Sequence, residues 1–103
     1  MAKRNLPAWW PENPLLGELL FPAEVWHSAR DSNLTVTLRV GPPVPIAIPH
    51  PCYYVPFCCG GEVQVRFGEG PSDALMNALN TIHRMLTRKL GREMILLPRS
   101  LKE

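Results

Sequence analysis

The sequence is poor in charge and in cysteine, and both shortages exclude protein classes. Charged residues make up 19% of the 103 positions and the net charge is only +2, which is too small by itself to indicate a nucleic-acid or anionic-membrane partner. Three cysteines, two of them adjacent, are a poor disulfide framework and favour a reducing compartment. Because 46% of the residues are hydrophobic, we expect one small globular domain over residues 1–103.

Long apolar runs and recognisable catalytic motifs are also missing. No run approaches the roughly 20 residues that cross a bilayer, and the first five residues lack the apolar core of a signal peptide. We therefore expect a cytoplasmic protein with no membrane partner. Neither a phosphate-loop nor a dinucleotide fingerprint is present, and no residue order indicates a catalytic triad. An enzyme is accordingly the less favoured class.

Proline is abundant, with twelve residues concentrated in the first half of the chain. Residues 1–14 form a proline- and tryptophan-rich arm that contains Trp9 and Trp10, and its prolines favour an extended or turning path. Asn13 and Pro14 are a plausible start for a short helix through residue 20. A second short helix is predicted over residues 22–30, opened by Pro22.

Two stretches alternate apolar and polar residues, which indicates half-buried strands. These are residues 33–40 and 62–67. In the second stretch Val63, Val65 and Phe67 form the expected buried side, and the intervening polar residues form a wet side. Further strands are predicted at 44–48, confined to a sheet edge by its prolines, at 53–57, broken by Pro56, and at 94–97, buried on both faces.

The strongest prediction is a helix over Pro71–Leu90. Pro71 suits the first helical position, Asp73 suits the first turn, and Gly91 is typical of the residue that ends a helix. The apolar residues fall on one stripe at steps of three and four: Leu75, Ala78, Leu79, Ile82, Met85, Leu86 and Leu90. The predicted fold is α+β, with one mainly antiparallel sheet of about four to five strands covered by this helix and short N-terminal helices.

One candidate site combines imidazole and thiol groups. His50, Cys52, Cys58 and Cys59 lie close together in the sequence, and these are the ligand types that zinc prefers. Their spacing differs from the paired knuckles that place two sulfurs on one ion, so free, partly buried thiols are the favoured interpretation. A metal- or small-ligand-dependent enzyme built on this cluster is one alternative function.

A second candidate site is the basic end of the predicted helix. It contains Arg84, Arg88, Lys89 and Arg92, which could meet nucleic-acid phosphates while aromatic residues stack on bases. The same charges also complement the carbonyl end of a helix. Nucleic-acid binding is therefore a further alternative and not the favoured function.

The favoured hypothesis is a non-enzymatic binding or accessory domain that acts through protein–protein contacts, as a homodimer. It rests on an excess of aromatic and proline residues without a catalytic constellation. The candidate contact residues are the following: Trp9, Trp10, Trp26, Tyr53 and Tyr54. The aromatic N-terminal segment either packs across the second face of the sheet or docks on another chain, and the sequence leaves both open.

Overall fold

The computed structural model describes residues 18–47 and 51–97, which form an antiparallel sheet packed against one helix. This confirms the predicted α+β class. The elements are β1 (Glu24–Ser28), β2 (Thr35–Val40), β3 (Val44–Ile46), β4 (Cys52–Cys59), β5 (Glu62–Gly68), α1 (Pro71–Leu90) and β6 (Met94–Leu96). The sheet has six strands, of which β2 and β3 pair with successive parts of β4.

The chain builds the sheet as a meander and then closes it with the helix. β1 pairs with β2, both β2 and β3 pair with β4, and β5 pairs with β4 along its whole length. A two-residue turn joins β4 to β5 with positive φ at Gly60 and Gly61, as tight hairpins require. After α1, β6 returns to pair antiparallel with β1 and becomes the last strand on that side of the sheet.

β2 and β3 are two halves of one strand that a bulge interrupts. Val40 pairs with Phe57 and Val44 pairs with Tyr54, so three residues on one strand oppose two on the other. Gly41 lies at this bulge and donates its N–H to the Pro56 carbonyl at 2.8 Å. A Cβ on Gly41 would lie 2.8 Å from Pro56 Cγ, so the close approach requires glycine.

The bulge explains how Pro56 lies inside a continuous strand, where the sequence predicted a break. In a strand the N–H and C=O of one residue point to the same edge. Since the Pro56 carbonyl accepts a hydrogen bond from the bulge, its missing N–H also faces the bulge, where the regular ladder is already interrupted. The prediction of a strand broken at Pro56 is therefore wrong, because a tertiary feature removes the need for the donor.

The helix has the predicted bounds, and its ends are closed as the sequence indicates. Pro71 occupies the first turn after Gly70, and the Asp73 carboxylate accepts the Glu69 N–H at 3.0 Å. At the other end Gly91 has φ 92 and donates its N–H to the Thr87 carbonyl. The Thr87 carbonyl in the last turn thus has a backbone partner, whereas no side chain caps the N–H groups of the first turn.

The core lies between α1 and one face of the sheet. Its residues are Val36, Leu38, Val40, Val55, Phe57, Cys59, Ala74, Ala78, Ile82, Met85, Leu86 and Leu90. The predicted stripe is confirmed at most positions, but Leu79 is exposed, and Thr81, which is not part of the predicted stripe, is buried. The buried side of the helix is therefore centred slightly closer to Thr81, and further from Leu79, than the sequence predicts.

The face of β5 that meets the helix is opposite to the one expected. Arg66 pairs with Val55, a core residue, and donates from Nε to Thr81 Oγ1 at 3.0 Å. Val63 and Phe67 point the other way and are exposed. The prediction that Val63 and Phe67 are buried is therefore wrong. The polar side keeps contact with water, since Glu62 is exposed and Gln64 and Arg66 are only half-buried. Alternation shows that a strand has two unlike faces but not which face the helix covers.

Residues 24–28 form a strand, so the predicted helix over residues 22–30 is wrong. β1 pairs with β2 on one side and with β6 on the other, and a helix here would leave both neighbouring strands without their hydrogen bonds. The other predicted short helix lies mainly outside the described residues, and residues 18–20 at its end are not helical.

β6 is also placed differently from the prediction. It lies at the edge of the described sheet, and Ile95 and Leu96 are 46% and 42% exposed. The prediction of burial on both faces is therefore wrong. Within the described ranges, no helix combines the length and the apolar character that a membrane span needs.

Candidate protein-binding surfaces

Strand pairing sorts the side chains of β3, β4 and β5 onto two faces, since directly paired residues point to the same side of an antiparallel sheet. Tyr54 pairs with both Val44 and Phe67, and Pro56 pairs with Val65. None of these residues belongs to the helix-facing core. We call the helix-free side of these three strands the apolar face, and it consists of Val44, Ile46, Cys52, Tyr54, Pro56, Cys58, Val63, Val65 and Phe67.

The centre of the apolar face is shielded from water. Val65 is 4% exposed, Tyr54 is 9% exposed and Pro56 is fully buried, and burial raises the pKa of the Tyr54 hydroxyl above 10.0. Among the described elements, α1 alone lies outside the sheet, and it packs on the opposite side. The helix therefore does not provide this burial.

The rim of the apolar face is more open. Val63 is 43% exposed and Phe67 is 36% exposed. The Phe67 ring lies 6.4 Å from the Tyr54 ring at an interplanar angle of 59°, the tilted arrangement that aromatic pairs favour. Toward β2 the same side of the sheet turns polar, with Thr37 and Arg39 exposed. β2 thus places a polar stripe between the apolar face and Val25 and Ile95, which lie on the same side at the other end of the sheet.

The second candidate surface is the outer edge of β6. The Ala29 N–H donates to the Glu93 carbonyl and the Leu97 N–H donates to the Val25 carbonyl, so these alternate residues direct their backbone groups toward β1. The backbone groups of Met94 and Leu96 therefore point outward. In the described part of the chain β6 pairs with β1 only.

This edge lacks the usual protection against pairing. Natural edge strands carry charged residues or proline, as β5 does with Glu62 and Arg66 and β3 does with Pro45. β6 contains only Met, Ile and Leu. We call Met94–Leu96 together with Leu97 the β6 edge.

The predicted aromatic residues do not form a single surface. Trp26 and Tyr53 pack against the helix-facing core, and the Trp26 Nε1–H donates to Glu24 Oε1 at 3.1 Å. Tyr54 lies on the apolar face instead. Trp9 and Trp10 lie outside the described residues. The structure therefore separates Trp26 and Tyr53, which complete the core, from Tyr54.

The three cysteines of the predicted zinc cluster do not meet. Cys58 and Cys59 are adjacent in a strand and point to opposite faces, and Cys52 lies about 20 Å along the strand from Cys58. Among the described residues no three His, Cys, Asp or Glu side chains come together as a metal site, and His50 falls outside them. The zinc prediction gains no support from the cysteine positions.

Cys59 is part of the core, and its chemistry reflects that position. Burial raises the pKa of the Cys59 thiol above 9.0, and the nearby Lys89 ammonium opposes this shift in part. A raised pKa keeps the sulfur protonated at neutral pH and makes it a weak nucleophile. Cys59 therefore behaves as a small core residue.

The basic residues at the end of α1 point into different surroundings. Arg84 and Arg88 line a cleft beside β5 that also contains Arg66 and Glu62. Arg92 lines another depression, with Ser28 and Arg30 on the β1 side. Nucleic-acid binding through Arg84, Arg88, Lys89 and Arg92 therefore stays a prediction.

Sequence reasoning missed both apolar surfaces. The alternation in β5 identified the apolar residues but assigned them to the core, and the short apolar run in β6 was taken as buried. The usable signal was the absence of any charge or proline within β6. No known protein family, curated protein or solved structure matches this chain, so the proposals below rest on geometry.

Proposed function

We propose that this protein is a binding domain that acts through protein–protein contacts, and that it forms a homodimer through the β6 edge. The observation that supports the proposal is an apolar edge strand whose outward backbone groups no described strand pairs. Its side chains add exposed apolar surface, since Ile95, Leu96 and Leu97 are each more than two-fifths exposed. Such an edge is a template for pairing with another strand.

The geometry of the edge fits a second copy of the same chain. When two β6 strands pair antiparallel with Ile95 opposite Ile95 of the other copy, Met94 of each copy lies opposite Leu96 of the other. These are the residues whose backbone groups point outward, so each such pair exchanges two hydrogen bonds. The two Ile95 side chains meet at the two-fold axis, where the Cα atoms are about 4.5 Å apart.

The same register makes the contact self-complementary, as two-fold interfaces require. Apolar side chains face apolar side chains on both sides of the joined sheet, and no charge is brought inside. The strand is short, so the buried area falls below the roughly 1,600 Å² of a standard interface. We therefore expect a dimer that dissociates at about micromolar concentration.

The test uses a substitution that affects the outer edge and spares the pairing with β1. The Leu96 N–H points outward, so Leu96→Pro removes a donor that the dimer needs and that β1 does not use. We expect the wild-type chain to sediment as a concentration-dependent dimer and Leu96→Pro to stay monomeric over the same range.

Leu96→Val is the matched control, because it keeps the N–H donor and an apolar side chain, and valine favours strands. It should dimerise like the wild type. Circular dichroism and a thermal melt check that both variants are folded. A wild-type chain that stays monomeric at high concentration, or equal dimerisation of the folded Leu96→Pro variant, would overturn the proposal.

A further inference from the structure

Three arginines line one cleft between β5 and α1. Arg66 comes from β5, and Arg84 and Arg88 come from α1, where they are one turn apart on the same side of the helix. β5 pairs with β4 at the end of the sheet away from β6, so the cleft is remote from the β6 edge. Its volume is about 240 Å³, below the roughly 300 Å³ at which pockets for drug-sized ligands begin. The cleft therefore suits a small group.

The Arg66 guanidinium is already held in place by the protein. Its Nε–H donates to Thr81 Oγ1 at 3.0 Å, and an Nη1–H donates to the Val65 carbonyl at 2.8 Å. The Thr81 hydroxyl in turn donates to the Asn77 carbonyl at 3.1 Å. A guanidinium has five N–H donors, so Arg66 keeps donors for a ligand, and a side chain that is fixed in advance loses little entropy on binding.

The charges in this cleft are not balanced by the described residues. Glu62 is the one acidic residue among those that line it, and the Glu62 carboxylate accepts a hydrogen bond from Gln64 Nε2 at 2.8 Å. In the described part of the chain no carboxylate forms an ion pair with Arg66, Arg84 or Arg88. Three guanidinium charges and one carboxylate charge leave the cleft with a formal charge of +2.

The carbonyl end of α1 does not account for all of these charges. The effect of a helix dipole falls off within the last turn, which contains Arg88 and Lys89. Arg84 lies one turn earlier, and Arg66 belongs to a different element. An anion bound in the cleft would be a partner for all three arginines.

We propose that the cleft between β5 and α1 binds the phosphate group of a small molecule, with Arg66, Arg84 and Arg88 as hydrogen-bond donors. A phosphate monoester carries a charge of about −1.5 to −2 at pH 7, which matches the charge of the cleft. Arginine suits this role because its planar group forms short, charge-assisted hydrogen bonds to phosphate oxygens. A nucleic-acid phosphodiester carries a single charge and would leave part of the positive charge unbalanced.

An NMR titration of the full-length protein tests the proposal with two probes, inorganic phosphate and glycerol phosphate. The Nε–H signals of Arg66, Arg84 and Arg88 should shift and saturate at about millimolar probe concentration, while sodium chloride at the same ionic strength should not reproduce the shifts. Saturation by both probes would show that free phosphate is enough for binding, and saturation by glycerol phosphate alone would show that the ligand is an ester. Shifts that are absent, or equal to those with chloride, would overturn the proposal.

Two substitutions that remove the same charge locate the site. Arg84 and Arg92 are both exposed, but Arg92 lines a different depression, beside Arg30. Arg84→Gln should weaken phosphate binding about tenfold, because it removes a charge-assisted hydrogen bond. Arg92→Gln should change the affinity little, because salt screens an exposed charge that does not touch the ligand. Equal weakening by the two substitutions would indicate nonspecific attraction and contradict the site.

The opposite change is expected at Glu62. Glu62→Gln removes the negative charge that lines the cleft and should tighten phosphate binding about twofold or more, a gain that a folding defect cannot produce. Unchanged or weaker binding would contradict the charge argument. Tight binding of a short single-stranded oligonucleotide without binding of either small probe would show that the arginines serve a nucleic acid, and the proposal would be wrong. Leu96→Pro should bind phosphate like the wild type, which separates this site from the proposed dimer.

Discussion

Among the described glycines, Gly68 leaves the least room for a side chain. A Cβ on this residue would lie 2.2 Å from the Ala74 backbone nitrogen and 2.7 Å from its Cα, so β5 and the first turn of α1 touch through bare backbone. Real side chains do not come this close to backbone, and neither partner is a flexible side chain that could move away. Glycine is therefore required here by contact rather than by conformation.

Gly68→Ala should accordingly destabilise the protein by more than about 3 kcal/mol, because α1 must move away from β5. Gly70→Ala is the matched control, since a Cβ at Gly70 meets nothing within 4 Å and the residue has a φ of −138. It should cost at most about 1 kcal/mol, the difference between glycine and alanine before a helix. Urea denaturation measures both values, and equal losses would contradict the contact argument.

The buried thiol of Cys59 makes the free energy of unfolding depend on pH. Its folded-state pKa lies above the ordinary value of 9.0 because burial disfavours the thiolate. Above about pH 9 the unfolded chain has lost this proton while the folded chain keeps it. The free energy of unfolding therefore falls as the pH rises from the unfolded pKa toward the folded one.

We expect this fall to be smaller in Cys59→Ala, which has no group to titrate at this position. Urea denaturation at about pH 8 and about pH 10 gives the loss for each protein. Other groups, Tyr54 among them, titrate in both proteins and cancel in the comparison. An equal loss in the two proteins would show that the Cys59 thiol does not have the raised pKa.

Among the elements, α1 provides most of one side of the core. Ile82 is 3% exposed in the middle of its buried stripe, while Leu79, one turn earlier, is 41% exposed. The helix propensities of the two residues differ by less than about 0.7 kcal/mol, so the main difference between them is the area that they bury. They therefore separate packing from intrinsic helix stability.

Ile82→Ala should cost about 2–5 kcal/mol, because it leaves a cavity in the core. Leu79→Ala should cost less than about 1 kcal/mol, because the methyl groups that it removes are already in contact with water. Thermal or urea unfolding compares the two variants. A loss at Leu79 as large as that at Ile82 would mean that a second molecule buries this side of the helix.

The strands show that the conformation of one element depends on the strands that pair with it. Pro56 can lie inside β4 because the bulge at Gly41 is on the side where a proline lacks its N–H donor. β1 forms a strand because its backbone groups pair with β2 on one side and with β6 on the other. Neither fact is visible in the local sequence. Residues 22–30 contain apolar residues at spacings that fit a helix as well as a strand.

Across the whole molecule, the sheet has one side closed by the helix and two apolar surfaces that the helix leaves open. The apolar face lies on β3, β4 and β5, and the β6 edge lies at the opposite end of the sheet. Their positions make them independent, so a substitution on the apolar face should not change dimerisation through the β6 edge. Additive behaviour is expected for sites this far apart.

The sequence alone determined the α+β class, the bounds of α1 and the strands that alternate. These features depend on local signals: proline and glycine at the helix ends, and apolar periods of 3.6 and 2 residues. The tertiary structure decided which side of β5 meets the helix, why Pro56 is accepted and which strand lies at the edge. Each of these depends on contacts between residues distant in the chain, such as Arg66 with Thr81 or Gly41 with Pro56, and alternation by itself cannot tell the inner face of a sheet from the outer one.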